Sequence, residues 1–94
     1  MLEWTFAQQE DADELAQLHL FSINKRQGDQ VIEFRITVKE YAKPNHLGMR
    51  FYAEADKQTN QKSAAYTPNG WGQTLLQALG DCVRGIQRFP YEGD

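Results

Sequence analysis

The chain has 94 residues, of which 40% are hydrophobic and 24% are charged, and its formal net charge is −3. These proportions are typical of a folded globular protein and exclude a disordered or fibrous chain. A chain of this length accommodates one hydrophobic core, so we expect a single domain over residues 1–94.

Cys82 is the only cysteine, which excludes an intramolecular disulfide and a zinc site built on several thiolates. The N-terminal residues lack the basic and then apolar pattern of a secretory signal. No stretch approaches the roughly 20 apolar residues that a membrane-spanning helix needs. We therefore expect a cytoplasmic protein that has no membrane partner.

The charges are unevenly distributed along the chain. Residues 1–24 contain five acidic residues and no basic ones, whereas residues 25–62 contain eight basic residues and five acidic ones. Two interpretations stay open: the acidic N-terminal segment lies over the basic middle, or the basic middle meets an anionic partner.

Near the N-terminus, alternate positions are apolar, which predicts a short strand containing Leu2, Trp4 and Phe6. Asp11 and Glu14 then have the spacing of a helix N-cap and its capping-box partner, which indicates a short helix over residues 8–17. The alternative is a strand that already begins near Leu15.

A β-hairpin is predicted in the middle of the chain. Strands over residues 18–27 and 30–41 are separated by Gly28-Asp29, a two-residue turn whose first position tolerates a positive φ. This turn fixes the register of the two strands: Ile23 faces Phe34, and the remaining pairs are determined in the same way. One face is then apolar and carries Phe21, Ile23, Ile32, Phe34, Ile36 and Val38. The opposite face is polar except at Leu18 and Leu20.

Two further strands and a turn are predicted before the last element. Residues 49–55 alternate between apolar and polar side chains and predict a third strand. Residues 64–66 predict a short fourth strand, and residues 67–70, Thr-Pro-Asn-Gly, predict a turn.

The most regular segment is an amphipathic helix over residues 74–89, which Pro90 ends. Thr74 and Gln77 have capping-box spacing. Apolar residues recur at steps of three and four at Leu75, Leu79, Cys82, Ile86 and Phe89, widened by Leu76 and Val83. Ala78 and Gly85 form a small side that we expect to approach the third strand. The predicted fold is α+β, with an antiparallel sheet of three to four strands and this helix packed on its apolar face.

The sequence contains no recognisable catalytic or metal-binding set. His19 and His46 have no sequence-near partner, and Cys82 lies within the apolar stripe of the helix, where a buried neutral thiol is expected. We expect no catalytic residue, no metal and no cofactor, and we predict that the protein is not an enzyme.

Two surfaces are predicted to bind a partner. The polar sheet face combines Arg35, Lys39 and Arg50 with Tyr41 and Tyr52, a composition that suits nucleic acid. Acidic residues share this face, so a solvated surface of mixed charge is the alternative. The second candidate is Trp71, which lies with Tyr66 near a glycine-bracketed loop and serves either as an interaction anchor or as a cap on the core edge.

The segment from Met49 to Ile86 resembles the β-β-β-α module of HicB-type antitoxins, whose architecture is related to double-stranded-RNA-binding-like folds. The resemblance rests on the strands before Tyr66-Thr67-Pro68 and on the helix start Gly72-Gln73-Thr74 with the later Ala78-Leu79. The resemblance implies a β-β-β-α topology for this segment. Such antitoxins usually add a DNA-binding segment after the helix, and we expect none here, so the resemblance assigns no functional residue.

Together these observations predict a small non-enzymatic domain that binds a protein, either a different partner or a second copy of itself. In the second case the contact is a strand edge or the surface around Leu18 and Leu20. Nucleic-acid binding through Arg35, Lys39, Arg50, Tyr52 and Trp71 is the alternative.

Overall fold

The computed structural model describes residues 3–93 and contains one four-stranded antiparallel sheet in the order β1-β2-β3-β4. The strands are β1 (Ala16–Gln27), β2 (Gln30–Tyr41), β3 (Phe51–Ala55) and β4 (Asn69–Gly72), and the helix is α1 (Leu75–Arg88). The α+β architecture is confirmed, because α1 packs on one face of this sheet.

The hairpin of β1 and β2 dominates the shape of the molecule. Both strands have 12 residues, and the pairing register places Ile23 opposite Phe34, as predicted from the Gly28-Asp29 turn. The required positive φ falls on Gly28, at 62°. Because β3 pairs only with Ile36–Glu40 of β2, the hairpin tip projects beyond the rest of the sheet and the molecule is 47 Å long.

The core lies between the sheet and α1. Its buried side chains come from β2, β3 and α1: Phe34, Ile36, Val38, Ala53, Ala55, Ala78, Cys82 and Ile86. The helix packs most extensively on β4 and then on β3 and β2. Phe21 of β1 belongs to the same face, but it stays 37% exposed.

The N-terminal predictions need correction. Residues Glu3–Ala7 form a 3₁₀ helix instead of a strand, since they pair with no strand and close hydrogen bonds locally; Leu2 lies outside the described residues. The predicted helix over residues 8–17 is a single 3₁₀ turn, Asp11–Asp13. The alternative of an early strand is confirmed, because the carbonyl oxygen of Leu15 already accepts from the N–H of Ala42 at 2.8 Å.

The fourth strand occurs later in the chain than predicted. Tyr66 makes only an isolated bridge to Thr59, whereas Asn69–Gly72, which overlaps the predicted turn, forms β4 and pairs with β3. The reason is tertiary: a Cβ on Gly70 would lie 2.5 Å from the carbonyl oxygen of Ala78, so only a residue without a side chain allows this strand to approach α1 so closely.

The helix is confirmed with small differences. The hydroxyl of Thr74 caps it by accepting from the N–H of Gln77 at 3.2 Å, and the Gln77 side chain accepts from the N–H of Gln73. Leu76 was predicted to widen the apolar stripe, but it points away from the sheet and is 78% exposed. Of the small side, Gly85 lies against Tyr66 and Pro68, and the backbone of Ala78 lies against Gly70 of β4.

Candidate functional site

The outer face of the sheet, opposite α1, brings together most of the predicted binding residues. Lys39 lies opposite Tyr52, and Tyr52 lies opposite Trp71, so these three residues form one row across β2, β3 and β4. Arg50 follows in the next row beside Tyr41, whose N–H donates to the Arg50 carbonyl oxygen at 2.9 Å. Arg35 shares the face but lies nearer the hairpin tip, opposite Ser22.

Three aromatic rings meet at one end of this face. The rings of Tyr52 and Trp71 have centroids 4.7 Å apart, and those of Tyr41 and Trp71 are stacked with centroids 6.0 Å apart. Gly70 and Gly72, on either side of Trp71, face the helix, so strand alternation directs the indole outward. We refer to Tyr41, Tyr52 and Trp71 as the aromatic cluster.

This arrangement corrects one interpretation of Trp71. The residue belongs to β4, not to a flexible loop, and it does not cap the core edge together with Tyr66. Tyr66 instead contacts Phe89 edge to face, with centroids 5.4 Å apart, near the C-terminal end of α1. Trp71 keeps 39% of its surface exposed, which leaves part of the indole accessible to a partner.

Acidic side chains balance the cations of the outer face. Glu54 accepts a hydrogen bond from the Tyr52 hydroxyl at 3.2 Å. Burial, and then the Glu54 carboxylate, raise the pKa of Tyr52 above its ordinary value. The Arg35 guanidinium lies 3.8 Å from the carboxylate of Glu33. The face is thus of mixed charge, as the alternative interpretation held.

A cleft of about 290 Å³ separates the aromatic cluster from the N-terminal segment. Its walls include Gln8, Asp11, Glu14, Tyr41, Lys43, Pro44, Asn45 and Trp71. Lys43 donates to Asp11 at 3.0 Å across this region. The acidic N-terminal segment therefore contacts the basic middle of the chain directly, which agrees with the first interpretation of the uneven charge.

The second surface is the edge of β1 that no strand covers within residues 3–93. Residues on either side of a two-residue turn form a hydrogen-bonded pair, so the odd-numbered residues of β1 bond to β2 and the even-numbered ones direct N–H and C=O outward. The hydrogen bond from Ala42 to Leu15 follows the same alternation. Leu18 and Leu20, beside these free groups, are 57% and 74% exposed.

One side-chain pair was missed from the sequence. His19 Nε2 lies 2.8 Å from Glu40 Oε1, and both side chains are largely buried on the inner face. The signal was present in the hairpin register: His19 faces Val38, so Glu40, two residues further along β2, is its diagonal neighbour. His46 lies exposed in the loop after β2.

Cys82 is fully buried, as expected. Its thiol donates to the carbonyl oxygen of Pro68 at 3.4 Å, and burial raises its pKa to about 11. The thiol is therefore neutral near pH 7. Among residues 3–93, no group of three or more His, Cys, Asp or Glu side chains lies close enough together to hold a metal ion.

Comparison with protein-family models, curated proteins and solved structures finds no match to this chain. The resemblance to HicB-type antitoxins accordingly stays a prediction. Within the part of the chain that the structure describes, no helix is both long and apolar enough to cross a membrane.

Proposed function

We propose that this protein is a non-enzymatic binding domain that recognises another protein through the free edge of β1 and the outer sheet face beside it. The observation that carries the proposal is the free edge itself, because it joins unpaired backbone groups to the exposed side chains of Leu18 and Leu20. An extended segment that adds to such an edge gains main-chain hydrogen bonds and side-chain contacts together.

The composition of β1 supports this function. Folded proteins normally protect a free edge with charges, proline or a bulge, because an open edge invites uncontrolled pairing. Residues 18–24, Leu-His-Leu-Phe-Ser-Ile-Asn, contain no acidic residue, lysine, arginine, proline or glycine. An uncharged edge that carries two exposed leucines is a liability unless a partner covers it. The single, buried cysteine further supports a cytoplasmic location.

Photo-crosslinking in cells tests the proposal. Benzoylphenylalanine at Leu20 is expected to give a discrete protein adduct that mass spectrometry identifies, because this side chain lies beside the free edge. The matched control is the same probe at Leu76, an equally exposed leucine on the far side of α1. If Leu20 yields no protein adduct, or yields the same adducts as Leu76, the proposal is wrong.

Nucleic-acid binding is the second candidate, and the aromatic cluster favours it. Exposed rings next to cations are the arrangement on which unpaired bases stack. Fluorescence anisotropy with a labelled single-stranded RNA in low salt is the test. The Trp71→Ala variant is expected to weaken binding about tenfold or more, and the double variant Arg35→Gln/Lys39→Gln to reduce its salt dependence, while Leu76→Ala changes neither. Absence of binding at low salt excludes this function.

A further inference from the structure

We propose that the partner of β1 is a second copy of this chain, and that the two β1 strands pair antiparallel about a two-fold axis at Leu20. This inference rests on the proposed function, because it specifies the partner at the same edge. The product is a continuous eight-stranded sheet with the strand order β4-β3-β2-β1 in one protomer followed by β1-β2-β3-β4 in its partner.

Backbone geometry restricts the registers that such a dimer can use. Only even-numbered residues of β1 direct their hydrogen-bonding groups to the free edge. Even-numbered residues must therefore face even-numbered residues of the partner, which places the two-fold axis on a residue and not between two residues. A one-residue slip would also move every side chain to the wrong face.

The exposed leucines favour an axis at Leu20 or at the neighbouring His19. With the axis at Leu20, this residue faces the partner's Leu20, and Leu18 faces the partner's Ser22. The four leucines of the two copies then form one continuous apolar patch on the outer face, which removes the most exposed apolar surface of β1 from water. An axis at His19 would pair Leu18 directly with the partner's Leu20, whereas an axis at Ser22 would place Leu20 opposite the partner's Asn24.

Charge complementarity selects the axis at Leu20 from these two registers. Glu14 lies just before β1 and Arg26 lies near its end, and both side chains are exposed. Neither forms an ion pair within residues 3–93. With the axis at Leu20, Arg26 lies beside the partner's Glu14, the left-handed residue (φ 47°) that precedes β1, and the symmetry repeats this proximity at the other end. An axis at His19 would place Glu14 opposite the partner's Asn24, and an axis at Ser22 would place Arg26 opposite the partner's Leu18.

Disulfide trapping tests the register. Directly opposed residues in a hydrogen-bonded antiparallel pair have Cα atoms about 5.5 Å apart, within reach of a disulfide. The variant Leu20→Cys is therefore expected to form a disulfide-linked dimer with oxidised glutathione. Thr37→Cys is the matched control, because Thr37 lies opposite Leu20 on β2, and two copies would be three strand spacings, about 14 Å, apart. Trapping through Thr37→Cys and not Leu20→Cys would overturn the proposed pairing.

Sedimentation of the purified protein tests whether the partner of β1 is a second copy of the chain. We expect a monomer–dimer equilibrium that Glu14→Arg or Arg26→Glu each weakens about tenfold, and that the double variant restores. A strict monomer up to millimolar concentration overturns the second copy as partner. If Leu20 still gives an adduct with another protein in cells, the proposed function stands while this inference fails. If it gives none, both fail.

Discussion

The side-chain amide of Gln27 forms two hydrogen bonds with the backbone of Tyr91, donating to its carbonyl oxygen and accepting from its N–H, both at 2.8 Å. Gln27 ends β1, and Tyr91 belongs to the segment after α1. The ring of Tyr91 also meets Phe34 edge to face, with centroids 6.0 Å apart. These contacts attach the C-terminal segment to the hairpin where the sheet is only two strands wide.

The first prediction concerns these two hydrogen bonds, of which the Gln27 side chain donates one and accepts the other. Gln27→Glu keeps the acceptor for the Tyr91 N–H but places a carboxylate against the Tyr91 carbonyl oxygen. We expect it to lower the free energy of unfolding by about 1–3 kcal/mol, more than Gln27→Ala does. Urea denaturation provides the measurement, with Gln30→Glu at the exposed opposite side of the turn as control. Equal stability of Gln27→Glu and Gln30→Glu would contradict the prediction.

The second prediction concerns Lys25, which connects β1 to the end of α1. Its ammonium group donates to the carbonyl oxygens of Ile86, at 2.7 Å, and of Phe89, two groups at the C-terminal end of the helix that lack helical partners. Burial lowers the pKa of Lys25, so desolvation offsets part of this gain.

We expect Lys25→Met to reduce the free energy of unfolding by about 1–2 kcal/mol. The matched control Lys39→Met, on the exposed face of β2, is expected to change it by less than about 0.5 kcal/mol. Amide hydrogen exchange over the last turn of α1 is expected to accelerate only in Lys25→Met. Unchanged exchange there would show that Lys25 does not stabilise the helix end.

The third prediction compares two glycines. A Cβ on Gly80 meets nothing closer than the end of the Arg84 side chain at 3.6 Å, so Gly80→Ala is expected to stabilise the protein by about 1 kcal/mol through helix propensity. A Cβ on Gly70 would lie 2.6 Å from Asp81 Cβ, so Gly70→Ala is expected to destabilise it by about 3 kcal/mol. Thermal unfolding measures both, and a stable Gly70→Ala variant would contradict the close approach of β4 to α1.

The fourth prediction is that the free energy of unfolding depends on pH through the thiol of Cys82. Burial raises the pKa of this thiol from 9.0 to about 11 in the folded state. The unfolded thiol therefore releases its proton first, so the thiol's contribution to stability is complete below pH 9 and is lost as the pH rises to about 11. The expected loss is roughly 2–3 kcal/mol.

Because Tyr52 and Lys25 also titrate in alkali, the measurement is the difference between the wild type and Cys82→Ala. That difference removes the contribution of Lys25 and most of that of Tyr52, whose pKa Cys82 raises only as the smallest of its causes. The stability gap should therefore change between pH 9 and pH 11 in favour of the alanine variant. A gap that is constant over this range would mean that the thiol is not desolvated in the folded protein.

Local patterns were sufficient for the hairpin and the helix. The Gly28-Asp29 turn determines which residues of β1 and β2 pair, and the period of two then assigns Phe34, Ile36 and Val38 to the core. The spacing from Leu75 to Ile86 likewise identifies the buried side of α1. Even the contact between His19 and Glu40 follows from the register, as a diagonal pair.

The sequence by itself thus determined the elements whose periodicity and turn chemistry are local. Only the tertiary structure decided that Asn69–Gly72 is a strand, because its glycines disfavour β structure until α1 packs closely against them. The same packing directs Trp71 to the outer face and centres α1 on β4, β3 and β2. The edge of β1 is consequently left open within residues 3–93, a result of how the elements assemble that no local pattern in β1 encodes.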